Sequence, residues 1–409
     1  MTVSTATRES PLSASDKLPV AGLLALAMTG FISILTETLP AGLLPQISEG
    51  LGVSEALAGQ TVTVYALGSL IAAIPLTVAT QGWRRRTVLL TAIIGFLIFN
   101  TITALSSHYT LTLVARFFAG IAAGLSWSLL AGYARRMVPP AQQGRALAVA
   151  MVGTPIALSL GVPFGTWLGG AIGWRSTFGI MSVLTVILIA WVLLKVPDFA
   201  GRAAAGRLPL RRVFTTPGVR PILAVILFWM LAHNILYTYI APFLVPAGLG
   251  ERVDLVLLVF GLMALAGIWI VGSIVDRWLR LSVLWSLVAF ALAALVLAIA
   301  GTLPAVVYPA VALWGLTFGG AATLLQTALG DSAGDGADVA QSMCVTVWNG
   351  AIAGGGIAGG FLLETWGVAS FPLALIVFIL IALVIAGAAC AHGFRPGPRS
   401  AGSAVGMGD

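Results

Sequence analysis

Charge is what this sequence has least of. Of its 409 residues only 9% are Asp, Glu, Lys or Arg, where a soluble domain carries about 25%. That is too few to clothe a water-facing surface. With 59% hydrophobic residues and a mean hydropathy of +1.03, the chain is excluded from the soluble enzymes and secreted domains. Disordered chains are polar and charged, so disorder is excluded as well. Cysteine is nearly absent: Cys344 and Cys390 both sit in apolar runs, which leaves neither a disulfide framework nor a thiolate metal cluster. The three histidines, His108, His233 and His392, are scattered without ligand spacing, so no metal and no cofactor is expected. There is no Gly-x-x-x-x-Gly-Lys-Ser/Thr phosphate loop for ATP. There is also no serine with a nearby histidine and acid, and no carboxylate pair, so a membrane-embedded enzyme is only a remote alternative. The first 18 residues lack the basic and apolar pattern of a signal peptide.

What the chain has instead is long apolar runs. A transmembrane helix needs about 20 consecutive apolar residues, and twelve such stretches are expected at 19–45, 54–80, 87–106, 109–134, 143–172, 175–196, 219–246, 253–275, 281–301, 304–330, 338–364 and 368–391. Pro40, Pro45, Pro75, Pro155, Pro163 and Pro242 fall inside them and predict kinks. The alternation of a β-barrel is missing. With an even number of spans, 18 of the 21 basic residues fall on one side. The exceptions are Arg175 and Arg252 on the other side and Arg116 within a span. The positive-inside rule then places both termini in the cytoplasm. A net charge of +7 is thus an orientation signal, and nucleic acid is not an expected partner.

One loop differs from the rest. Residues 197–218 are rich in Gly, Ala, Pro and Arg and have no apolar period. They divide the chain into a bundle of six spans at 19–196 and another at 219–391, with cytoplasmic tails at 1–18 and 392–409. The halves repeat each other at a spacing of roughly 193–196 residues, as parallel repeats do in one class of secondary transporter. The fold class expected is therefore an all-α polytopic membrane protein of twelve helices in two pseudo-symmetric six-helix bundles.

Four stretches carry a family likeness: Thr36-Glu-Thr-Leu-Pro-Ala-Gly-Leu-Leu-Pro45; Arg116-x-x-x-Gly120-x-x-x-Gly124; Gly161-Val-Pro163-Phe-Gly165-Thr-Trp-Leu-Gly169-Gly170; and Val196-Pro-Asp198. On these the chain resembles the major facilitator superfamily over nearly its whole length. Within it, the chain looks like the bacterial drug and sugar efflux branch of arabinose efflux permeases and chloramphenicol-resistance exporters. The resemblance implies an inner-membrane, multi-pass exporter of small organic solutes working by proton antiport and alternating access. The family's loop between spans two and three has Gly-x-x-x-Asp-Arg before its basic cluster. Here the cluster Arg84-Arg85-Arg86 remains and the acid is missing, while the second half reads Gly272-Ser-Ile-Val-Asp276-Arg277. The resemblance makes both into gating elements, favouring one state through contacts between the halves.

Two charges lie clearly inside spans, Glu37 and Arg116. A charged group at mid-span costs about 2.5–3.5 kcal/mol, so such groups face a cavity or a partner. At 1.5 Å per residue both lie about 10–14 Å from the same membrane boundary, so they can meet. Burial and a neighbouring arginine act oppositely on a carboxyl group, which suits Glu37 to proton coupling with Arg116 tuning it. A static buried ion pair is the competing reading. Polar and aromatic groups suggest a solute cavity: Tyr65 and Trp127 from the first half, and His233, Asn234, Tyr237, Gln326, Trp348 and Asn349 from the second. Gly161, Gly165 and Gly169, like Gly350 and Gly354, form smooth faces for close helix packing and are candidates for the surface on which the halves rock. The partners expected are a small solute, protons and membrane lipid, for a monomer. Chloramphenicol, an arabinose-like sugar, a nucleoside and a dye remain equal candidates. A sugar or metabolite uniporter or proton symporter of the same fold is the alternative reading.

Overall fold

The computed structural model describes residues 18–139, 142–201 and 209–397. Most of the two expected tails lie outside them, as do Arg8, Lys17, Arg202, Arg207 and Arg399. Among the described residues there is no strand. In hydrocarbon every backbone group must find its partner within the segment, and these apolar runs do so as helices. The first half holds α1 (Val20–Gly42), α2 (Glu55–Ala79), α3 (Arg85–Leu105), α4 (Tyr109–Arg136), α5 (Gln143–Ile172) and α6 (Trp174–Lys195). The second begins with α7 (Val219–Thr238). A 48-residue helix, Val253–Ala300, follows. Unbroken it would measure about 72 Å, over twice the thickness of the hydrocarbon core. Trp278 leaves helical geometry at φ −128° and ψ 25° and divides it into α8 (253–277) and α9 (279–300). Then come α10 (Pro304–Ala333), α11 (Ala337–Trp366) and α12 (Phe371–Ala388). The chain thus crosses twelve times.

Three spans depart from the lengths expected, each at a proline. The run 19–45 is helical only to Gly42: Leu43 sits at φ −115°, and a short helix, Leu44–Leu51, starts with Pro45 in its first turn, where a missing N–H costs nothing. The run 219–246 breaks at Tyr239, φ −111°, before the short helix Ile240–Leu244. Pro242 there cannot donate to the Thr238 carbonyl. In α5, Pro155 and Pro163 flank a π-turn at Ala157–Gly161, and the Ser159 hydroxyl donates to the Pro155 carbonyl at 2.6 Å.

Glycines then set the helix pairs. A Cβ at Gly120 of α4 would lie 1.9 Å from the Tyr65 carbonyl of α2, and one at Gly68 would lie 2.1 Å from the Phe117 carbonyl. The same contacts recur 199 residues later: Gly319 of α10 meets Ala264 of α8 at 1.9 Å, and Gly267 meets Leu316 at 2.1 Å. The repeat seen in the sequence is therefore a repeat of packing. The face of Gly161, Gly165 and Gly169 corrects an expectation. These glycines receive Phe31, Leu39 and Leu43 of α1 and its extension, so they serve packing inside the first half rather than the seam between halves. On α5 the seam lies at Ser159, whose Cα is 2.3 Å from where Gly261 of α8 would carry a Cβ. On α11 it lies at Gly356 and Gly360, against Thr63 and Gln60 of α2, whereas Gly354 faces Leu231 of its own half.

Helix alternation gathers Arg84–Arg86, Arg135, Arg136, Arg145, Lys195, Arg211, Arg212, Arg220, Arg277 and Arg280 at one face, called here the basic side. On the opposite, far side the halves share one apolar core, in which Leu39, Leu44, Val162 and Phe178 pack with residues of α7 to α12. The core serving the basic side of the first half, including Leu26, Phe96, Leu130 and Leu188, contains no residue of the second.

Candidate translocation site

The site is best built from Pro40. A proline cannot donate to the carbonyl four residues back, which frees the Thr36 carbonyl in the middle of α1. Arg116 of α4 takes it: Nη1 donates to Thr36 O at 2.5 Å, Nη2 to Glu37 O at 3.3 Å, and Nε to Thr61 O of α2 at 3.1 Å. The guanidinium is 1% exposed and lies over the rings of Tyr65, at 4.8 Å, and Phe178, at 5.8 Å. Gly120 and Gly124, one and two turns along, let α4 come close enough to α2 for this reach. Asn100 of α3 adds a donor to the Thr36 hydroxyl at 3.0 Å.

Glu37 and Arg116 are the two buried charged residues among those described, and they do meet, but through the main chain. Arg116 holds the Glu37 carbonyl, and the Glu37 carboxylate makes neither an ion pair nor a hydrogen bond among the described residues. The static ion pair weighed against proton coupling is absent from this arrangement. A planar fork with five donors can satisfy several carbonyls at once, and here it does so.

The second half answers differently at the equivalent place. Gly315 stands 199 residues after Arg116, packed on the Phe260 backbone at 2.4 Å, and an aromatic cluster takes the room. His233 stacks on Phe318 at 3.8 Å and on Tyr237 at 5.2 Å, and Phe260 meets Trp314 at 4.5 Å. Trp314 Nε1 donates to His233 Nδ1 at 3.2 Å, so in the neutral ring the proton sits on Nε2.

The other expected cavity residues divide. Tyr65 is fully buried, with its hydroxyl donating to the Ser33 carbonyl at 2.9 Å; it belongs to the arginine's cage and does not line an open cavity. Asn234 and Asn349 turn their amides onto Met230 O and Val345 O of their own helices. Trp127 is half-buried beside Gly30 of α1. Trp348 is half-buried against the seam cluster of Val62, Ala66, Ile352 and Ala353. Gln326 is exposed towards the basic end of α10.

The basic cluster also corrects an expectation. Arg84 Nε donates to Asp198 at 2.5 Å, and the Arg86 N–H to the same carboxylate at 3.1 Å. Arg85 donates to the carbonyls of Thr80 and Gln81. These bonds stay within the first half and do not join it to the second. The acid missing from the loop is supplied from 114 residues away by the Val-Pro-Asp198 stretch. Burial works to raise the Asp198 pKa, but the hydrogen bonds and charges of Arg84 and Arg86 outweigh it and hold the carboxyl below its usual range. Asp276 and Arg277 are exposed at the turn between α8 and α9. Asn100, Thr61 and Asp198 escape a reading of the sequence, because polar residues in apolar runs are common and only their partners distinguish these three.

Twelve crossings in two repeated sets, joined on one side only and holding a lone buried carboxylate, define a membrane transporter. The chain belongs to the Major Facilitator Superfamily, whose sequence model matches residues 26–353. It is 32% identical over 356 residues to the purine ribonucleoside efflux pump NepI of Shigella dysenteriae, covering 86% of this chain and 90% of the relative. To NepI of Escherichia coli strain K12 it is 31% identical over the same length. Its fold resembles a POT family transporter solved with 5-aminolevulinic acid, with a TM-score of 0.74, 13% identity and coverage of 91% and 96% of the two chains. It also resembles an inward-facing, unoccupied bacterial homologue of the lysosomal transporter Spinster, with a TM-score of 0.65, 16% identity and coverage of 93% and 97%.

Proposed function

We propose that this protein exports small organic solutes from the bacterial cytoplasm in exchange for protons, with purine-ribonucleoside-like molecules as the foremost substrate class. The substrate class follows the relatives, which are ribonucleoside efflux pumps at 31–32% identity, and it suits a second half whose midplane is aromatic. Proton coupling rests on one observation: Glu37 is buried, and its carboxylate has no ionic partner. A bare carboxylate is costly within a membrane, so the cheapest way to carry it between two access states is with a proton. Arg116 keeps Glu37 in place by its carbonyl without neutralising it. Tyr65 and Tyr237 lie close enough to feel the carboxylate's charge, which ties the proton site to the aromatic cluster across the seam.

The basic side is assigned to the cytoplasm by the positive-inside rule, with both termini and the 197–218 linker there and its arginines against anionic lipid. The two six-helix bundles then rock about the midplane as a monomer, and the arrangement described is the one closed on the outer side. Trp127, His233, Asn234, Tyr237, Gln326, Trp348 and Asn349 are the residues proposed to meet solute. The test is efflux of labelled inosine, chloramphenicol and a pentose from loaded cells, with and without uncoupler. Uncoupler-sensitive efflux of inosine that Glu37→Gln abolishes supports the reading. Inosine efflux that survives both would make the protein a facilitator, and efflux of the pentose or chloramphenicol alone would replace the substrate class.

A further inference from the structure

Tyr239 is absorbed by neither the proton site nor the solute cavity. It sits at the break between α7 and the short helix Ile240–Leu244, and its side chain is completely buried. Its ring is wedged between the halves: a Cβ on Gly59 of α2 would lie 2.4 Å from it, and one on Gly359 of α11 2.6 Å. Side chains at those two positions would leave no slot for it. Its hydroxyl lies 2.8 Å from the Gly356 carbonyl of α11 and 3.2 Å from the Ala56 carbonyl of α2, and can donate to either. Gln60 Nε2 of α2 donates to the Tyr239 oxygen and to the Gly356 carbonyl, both at 3.3 Å. Three of these four contacts cross the seam, all on the far side. The position 199 residues earlier is Pro40, so the first half has no such wedge.

We infer that Tyr239, with Gln60 as its partner, is the latch that holds the far side closed and so sets the balance between the two access states. For α2 and α11 to part, the Gln60 bonds to Tyr239 and Gly356 and the Tyr239–Ala56 contact must break, while the Tyr239–Gly356 bond moves with its own half. Each such hydrogen bond is worth about 0.5–1.5 kcal/mol net, so its loss multiplies the far-side-open population by about three to ten. The inference goes beyond the proposed function and does not depend on which solute is carried.

The experiment uses the full chain with Cys344→Ala and Cys390→Ser and a single reporter, Thr63→Cys, which faces Gly356 across the seam. A membrane-impermeant maleimide is applied from the far side with no solute present. Tyr239→Phe, which keeps the ring, and Gln60→Leu should each raise the labelling rate about three- to tenfold. A second reporter, Ala123→Cys, is buried inside the first half away from the seam and should remain unlabelled. An unchanged rate at Thr63→Cys in both variants overturns the inference. Labelling that rises equally at Ala123→Cys overturns it too, because that is general loosening. Should Tyr239→Phe fail to fold, Gln60→Leu decides the matter alone.

Discussion

Proline at position 40 cannot donate to the carbonyl of Thr36, and the guanidinium of Arg116 takes that carbonyl together with those of Glu37 and Thr61. Two residues that a sequence would flag separately, a kink-forming proline and an intramembrane arginine, are thus one arrangement. Arg116→Lys should fail to reproduce it, since one ammonium cannot reach three carbonyls on two helices. The expected cost is about 1.5–3 kcal/mol for each hydrogen bond to charge that is lost, read as a lower Tm in detergent; an unchanged Tm would contradict it. Glu37 and Arg116 were legible as lone charges in apolar runs, because cost alone marks them. That the arginine would bind main chain rather than the carboxylate was not legible, since no residue pattern announces a freed carbonyl's partner. Asp198 was legible only as part of a motif. Its lowered pKa makes a signed prediction: the bond to Arg84 and Arg86 holds the 196–201 segment above the ordinary aspartate range, near pH 4, and is lost as pH falls through the folded pKa. Amide exchange in that segment should therefore be faster in Asp198→Asn than in wild type at pH 7, and the difference should vanish at the acid end.

At the scale of elements, hydropathy suffices to place twelve spans, and composition suffices to find the linker between the sixth and seventh. The ends of α1 and α7 are shorter than the apolar runs that contain them. Pro40, Pro45 and Pro242 stop the helix before the apolar composition stops. Glycine spacing shows that a helix has a smooth face but not which neighbour meets it. Gly161, Gly165 and Gly169 therefore read as a seam when they are a seat for α1, and the true seam on α11 lies at Gly356 and Gly360. The repeated glycine contacts predict a matched pair of effects. Gly120→Ala and Gly319→Ala would each place a Cβ 1.9 Å from a backbone carbonyl, and each should destabilise by about 1–3 kcal/mol, the cost of overpacking. Gly170→Ala, with nothing within 4 Å, should leave the Tm unmoved. Equal effects at all three positions would show that these glycines do not set the helix spacing.

At the scale of the whole molecule, the two halves share a plan and divide the work. The α2–α4 and α8–α10 pairs repeat contact for contact, yet the first half places a buried charge where the second places an aromatic cluster. The halves share an apolar core on the far side alone, so one sliding motion at that seam would exchange the open side. The account then turns on Glu37 as the group that carries the proton through that motion. The most direct measurement reconstitutes wild type and Glu37→Gln in liposomes and compares two modes of inosine movement. One is counterflow, which needs only alternating access; the other is accumulation driven by an imposed pH gradient. The account predicts that Glu37→Gln retains counterflow near the wild-type rate and loses gradient-driven accumulation. Gradient-driven accumulation undiminished in Glu37→Gln would contradict it.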